Sequence, residues 1–339
     1  MAFPNMNRPA RLAPAAWLLL AGVLWLVIAL VSLSTGPLRI APRTVIDALL
    51  HHDPSVAEHV VVTTTRLSRL MIATLVGAAL AVAGALMQAM TRNPLASPGL
   101  FGVNAGAVLA IVLVSLYVAL SPAALITGAA FAGAALAGAA VHLLGNARHA
   151  GPTRLVLAGA AITALCVAIT QAILIVDQES LDNILFWLAG STSARDMRDV
   201  LGLVPVLILG LIGALLLAPH LDVLAAGDQV AAGLGQRMGR IKAATGLAVV
   251  CLAGAAVSMA GSIGFIGLIV PHLARRLVSP RHGWLLPACA LFGAVLLVAA
   301  DVLARATGSI QELPIGVLTT IVGVPVFIVM LRRGQHGRG

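Results

Sequence analysis

The sequence predicts an all-α protein that crosses a membrane about ten times as a single domain, residues 1–339. Three observations carry this reading. Of 339 residues, 60% are hydrophobic and 10% charged, against about 25% charged in an ordinary soluble domain. Runs of roughly 20 apolar residues, the length a helix needs to cross a hydrocarbon core, recur from one end of the chain to the other. Between them the positive charges fall unevenly on alternate loops, as they do in multi-pass proteins.

The first run, 15–34, follows Arg8 and Arg11 and ends in Ser32-Leu33-Ser34, a small-residue stretch like a signal-peptide cleavage site. Its apolar core exceeds the 7–15 residues of a usual signal sequence, so a retained first span is expected. Further spans are expected near 68–90, 100–120, 123–144, 155–176, 200–218, 243–260, 263–278, 284–304 and 314–331. The eighth is short and breakable, because Gly261, Gly264 and Gly267 precede Pro271 and His272. Small residues crowd several spans, as in GAAFAGAALAGAA (128–140), and let helices approach closely.

The net charge of +9 comes from Lys and Arg residues scattered in ones and twos, with Lys242 the single lysine. No basic stripe for nucleic acid is present. With the N-terminus inside, 14 Lys and Arg fall in the cytoplasmic set, including Arg92, Arg237, Arg240, Lys242, Arg275, Arg276 and Arg281. The other 7, Arg39, Arg43, Arg66, Arg69, Arg195, Arg198 and Arg305, fall outside. The positive-inside rule therefore puts both termini in the cytoplasm. Spans 2–5 and spans 7–10 then run oppositely, the arrangement of an inverted repeat, with GAALAVAGALM (77–87) set against GLAVVCLAGAAVSM (246–259).

One polar interruption stands out. Leu221 to Lys242 carries Asp222, Asp228, Gln229, Gln236, Arg237, Arg240 and Lys242, too many charges for hydrocarbon. Val223, Leu224, Val230 and Leu234 recur at near-helical spacing, which predicts one or two short amphipathic helices on the cytoplasmic face.

Catalytic constellations are missing from the sequence. A phosphate-binding loop needs Gly-Lys-Ser/Thr, and the lysine sits in Arg240-Ile241-Lys242-Ala243. Any use of ATP has to come from a partner. Gly233, Gly235 and Gly239 lack the register of a dinucleotide loop, and no zinc-protease or nucleophile-elbow motif occurs. Cys166, Cys251 and Cys289 sit singly in apolar runs and read as small buried hydrophobes. Carboxylates lie almost wholly in loops, which weakens a proton relay. His51, His52, Asp53, Glu58 and His59 fit no metal-ligand spacing and read as a solvated loop. No metal and no cofactor within this chain is expected, nor an enzymatic role. Gln88, Thr163, Thr170 and Gln171 are polar positions inside spans. They either line a pathway or, for the threonines, bond back to their own helix.

Several strings together resemble one family, the permease subunits of type II ABC importers for ferric siderophores, haem and cobalamin. They are Arg66-Leu67-Ser68-Arg69 with Leu75-Val76-Gly77-Ala78-Ala79-Leu80, Gln88 to Pro98 (QAMTRNPLASP), Trp187 to Ser191 (WLAGS), Gly264 to His272 (GFIGLIVPH) and Glu312 to Gly316 (ELPIG). Ser68 replaces a usual proline, and the order covers nearly the whole chain. The resemblance implies a second permease copy or paralogue, two cytoplasmic ATP-binding subunits that hold ATP-Mg, a periplasmic or lipid-anchored binding protein, and a bacterial inner membrane. It implies that 221–235 docks the ATPase, with Leu221, Asp222, Leu224, Gly227, Asp228, Ala231, Gly233, Leu234 and Gly235 in the contact. It implies that Arg66, Arg69 and Arg305 bridge to glutamates of the binding protein, a role that suits the planar guanidinium. A ferric-siderophore-type chelate is the expected cargo, since SPGLFGVNAGA (97–107) is similar to iron-chelate members. Cobalamin or haem is the alternative, and an ion-coupled secondary transporter is the rival of another class.

Overall fold

The computed structural model describes residues 13–118, 122–145, 152–176, 189–191, 197–306 and 313–335. The described residues are helical, without strands. That follows from the solvent, because hydrocarbon offers backbone groups no partners and a helix satisfies them internally. The long helices are α1 (Pro14–Ser34), α3 (Ala57–Thr91), α5 (Ala123–Gly145), α6 (Pro152–Val176), α7 (Met197–Ala225), α9 (Met238–Ala260) and α11 (His282–Ala306). These seven are long and apolar enough to cross a membrane. Shorter helices are α2 (Pro42–Leu50), α4 (Val103–Tyr117), α8 (Asp228–Gly233), α10 (Ile266–Leu277) and α12 (Ile315–Gln335).

Helices α3 and α9 form the centre, with 83% and 78% of their most apolar windows buried. Around them α3 packs on α10 and α11, and α9 packs on α4 and α5. Helices α1 and α6 face outward for most of their length, with many of their leucines and valines exposed.

Glycine decides how closely the central helices approach. A Cβ on Gly77 would stand 2.3 Å from the carbonyl oxygen of Gly293 on α11. One on Gly84 would stand 2.0 Å from that of Gly267 on α10. Gly77 and Gly84 are two turns apart on one face of α3. That face is a backbone-to-backbone seam onto which α10 and α11 are laid.

The expected eighth span is shorter than read from sequence. After α9 the chain breaks at Gly261 (φ 74°) and Phe265 (φ 66°), and α10 has 12 residues. The expected polar interruption is also redrawn. Residues 221–225 are the last turn of α7, which continues through Pro219. One separate short helix follows, α8, entered at Gly227 with φ 127°. Leu221 and Leu224 point into the core, and this packing carries the helix past the point where polarity rises.

The first connection is not a solvated loop throughout. Val45 and Ala48 of α2 are buried, and His59 is buried at the start of α3. Its Nδ1 accepts the Asp53 N–H at 3.2 Å, and its Nε2 lies 3.6 Å from Asp47 Oδ2. Asp53 itself is fully exposed and accepts from the Ser55 N–H and hydroxyl at 2.9 and 2.7 Å. Those two bonds hold its carboxyl below the usual range.

Candidate functional site

Two polar clusters sit at opposite ends of the bundle, and both are built on α3 and α11. The first gathers Arg66, Arg69, Asp301 and Arg305. Arg69 Nε donates to Asp301 Oδ1 at 2.6 Å, and Arg305 Nη2 donates to Asp301 Oδ2 at 2.6 Å. Asp301 is fully buried. Arg305 also donates to the carbonyls of Ser32 at 2.9 Å and Thr35 at 2.6 Å and to the Ser32 hydroxyl at 2.7 Å. Arg66 donates to the carbonyls of Leu33, at 2.6 Å, and Leu38.

These bonds have a common logic. The last turn of α1 leaves carbonyls without helical partners, and its dipole favours positive charge there. Arg66 and Arg305 supply both donors and charge, while Asp301 offsets two of the three guanidiniums. Asp301 is thus a carboxylate inside an apolar span, an exception among carboxylates expected almost wholly in loops. The position was readable in part, since Asp301 stands four residues before Arg305 on one helix face. Arg66, Arg69 and Arg305 are all buried. In this arrangement all three guanidiniums already make bonds within the chain.

The second cluster anchors the polar segment that begins at the end of α7. Asp222 Oδ1 accepts the backbone N–H of His282 at 2.8 Å and lies 2.6 Å from its Nδ1. Arg92, in the left-handed conformation just past α3, donates to the Leu224 carbonyl at 3.2 Å. The end of α7 is thus tied to the N-terminus of α11 and the C-terminus of α3. Beyond it Ala231 is buried, while Val230 and Leu234 are 49% and 68% exposed. Gly233 and Gly235 are exposed too. Two apolar side chains thus project from a fixed base, which is what a docking surface needs. The Asp228 side chain lies outside the described residues. His282 and Arg92 as anchors escaped the sequence reading, because neither a lone histidine nor a loop arginine carries a spacing signal.

The pathway candidates separate. Pro271 lacks an N–H and leaves the carbonyl four residues earlier, Gly267, without its helical bond. Gln88 Nε2 donates to that carbonyl at 3.2 Å, and Gln88 Oε1 accepts from Arg275 at 2.5 Å. Gln88 is buried and clamps α10 onto α3. Thr163 is half-buried and Gln171 exposed. Thr170 is buried, and its hydroxyl has no hydrogen-bond partner among the described residues, its own helix included.

Residues 24–333 match the FecCD transport family. The chain belongs to that family. Three FecCD relatives come from Bacillus subtilis (strain 168). YfiZ, named as a siderophore transport system permease, is 44% identical over 280 residues, covering 82% of this chain and 84% of that protein. YfmD, an Fe(3+)-citrate import system permease, is 41% identical over 279 residues, covering 82% and 83%. FhuB, an iron(3+)-hydroxamate import system permease, is 41% identical over 327 residues, covering 95% and 85%. A solved structure described as a metal-chelate type ABC transporter in an inward-facing conformation matches with a TM-score of 0.84 at 28% identity. The match covers 94% of this chain and 99% of that one. Of the motifs that pointed to such permeases, Trp187, Leu188 and Glu312 lie outside the described residues.

Proposed function

We propose that this FecCD-family protein is the permease subunit of an ABC importer that carries a ferric-siderophore-type chelate into the bacterial cytoplasm. The observation that carries it is the coupling segment. A chain without a phosphate-binding loop presents Val230 and Leu234 on a short helix whose base is bonded to α3 and α11. Two ATP-binding subunits, each holding ATP-Mg, dock there and drive the cycle, and a second permease copy or paralogue completes the pathway. The iron-chelate cargo rests on the relatives that carry siderophore, citrate and hydroxamate in their names.

The topology belongs to the same reading. On this reading α4, α10 and α12 join the seven long helices as ten spans, and the charge balance favours both termini and the coupling segment in the cytoplasm. Packing supports the inverted repeat. Exchanging α3 with α9, α4 with α10, α5 with α11 and α6 with α12 turns each observed contact into another observed one: α3–α11 into α9–α5, α3–α10 into α9–α4, α4–α5 into α10–α11, and α4–α6 into α10–α12. The arginine cluster then faces outward, where a binding protein docks. Arg66 and Arg305 shape that surface by fixing the end of α1, and Arg69 holds the Asp301 carboxylate beside them.

Co-purification tests the partner assignment. The permease should bring down its ATPase, and Leu234→Ser should weaken that association. An ATPase that ignores the 221–235 segment would remove the carrying observation.

A further inference from the structure

Resting on that reading of the coupling segment, we propose that Asp222 and His282 are a positioning pair. It links ATPase docking at one membrane face to the arginine cluster at the other, through α3 and α11 moving as one body. His282 and Asp301 lie at the two ends of α11, roughly 28 Å apart along the helix. At the inner end α7 is held by both members of the body, through His282 of α11 at 2.8 and 2.6 Å and through Arg92 of α3 at 3.2 Å. At the outer end the same two helices are joined by Arg69 and Asp301. Midway, Gly77 and Gly293 put the two backbones in contact. The two helices are joined directly at the outer end and in the middle, and both are held to the end of α7 at the inner end. They resist sliding past each other, so a push on α7 reaches α1 through Arg305 and Ser32.

Asp222 is the narrowest point of this route, because its carboxylate takes both the first N–H of α11 and the imidazole of the same residue. The pair needs an acceptor at Oδ1 and a donor at the position of Nδ1. Neither has to be charged. An asparagine at 282 places an amide N–H close to where the imidazole Nδ1 stands, whereas a leucine places none.

The whole transporter, with permease, ATPase and binding protein in liposomes, tests this by ATP hydrolysis measured with and without binding protein presented with a ferric hydroxamate. His282→Leu is expected to hydrolyse ATP without responding to the binding protein, and His282→Asn to keep the response. Asp222→Asn, which retains Oδ1, should also keep it, and Asp222→Ala should lose it. This second pair decides the matter if the leucine variant fails to assemble. A His282→Leu or Asp222→Ala transporter stimulated like the wild type would overturn the proposal, as would loss of the response in both conservative variants. A wild-type transporter that itself ignores the binding protein would instead overturn the importer reading.

Discussion

Asp301 and Arg69 meet at 2.6 Å across 232 positions of sequence, with the carboxylate 1% and the guanidinium side chain 10% exposed. A charge pair at this depth is sustained because Arg305 completes the carboxylate and the α1 carbonyls complete Arg305. Removing one member of such a group leaves the others buried and uncompensated, at a cost of about 3–5 kcal/mol. Asp301→Ala should therefore lower the thermal midpoint of the detergent-solubilised permease by itself, before any partner is added. An unchanged midpoint would mean that the cluster is not a structural knot.

The same burial separates two roles for Arg305. If it serves by capping α1, Arg305→Ala destabilises the isolated permease and weakens binding-protein docking in parallel. If it serves by gripping a partner glutamate, docking falls while the midpoint stays. Thermal melts and docking affinity on one preparation decide, and the capping bonds at 2.6 to 2.9 Å predict the parallel loss.

Gly84→Ala places a methyl group 2.0 Å from the Gly267 carbonyl oxygen, where neither helix can yield locally. Overpacking of this kind costs about 1–3 kcal/mol. Gly22→Ala meets nothing within 4 Å and should leave the melt unchanged. The two variants compared in one thermal series check whether the α3 seam is as tight as described.

Gly227→Ala forces a side chain onto φ 127°, a strain of about 1–3 kcal/mol, at the hinge between α7 and α8. Uptake per ATP hydrolysed should fall. Arg240→Gln should lower the amount of inserted protein and leave that ratio intact. A change in insertion but not in the ratio for Gly227→Ala would move the hinge elsewhere.

Thr170→Val keeps the shape of a buried side chain whose hydroxyl bonds to nothing among the described residues. Removing an unsatisfied polar group is neutral or stabilising, so the variant should melt at or above the wild-type temperature. A loss of chelate uptake at unchanged stability would instead mark Thr170 as a pathway residue.

These residues also show where sequence reasoning reaches its limit. Hydrophobic length located the seven long helices, since crossing a hydrocarbon core takes about 20 apolar residues. It overran at 263–278, where Gly261 and Phe265 turn the chain, and stopped short at 218, where buried Leu221 and Leu224 extend α7. Asp301 lay within the expected span 284–304, but composition does not reveal that Arg69 arrives beside it from 232 positions away. Gln88 looked like a pathway residue because its partner, the carbonyl freed by Pro271, lies 179 positions away. Local pattern records what a residue is, while long-range packing decides what it meets.

The most direct test of the account is transport itself. Liposomes holding the permease, its ATPase and internal ATP, supplied with binding protein and a ferric hydroxamate or ferric citrate, should accumulate iron. Without ATP, or with a proton or sodium gradient in its place, they should not. Accumulation driven by the gradient with no ATPase present would contradict the importer reading and make the chain a secondary transporter.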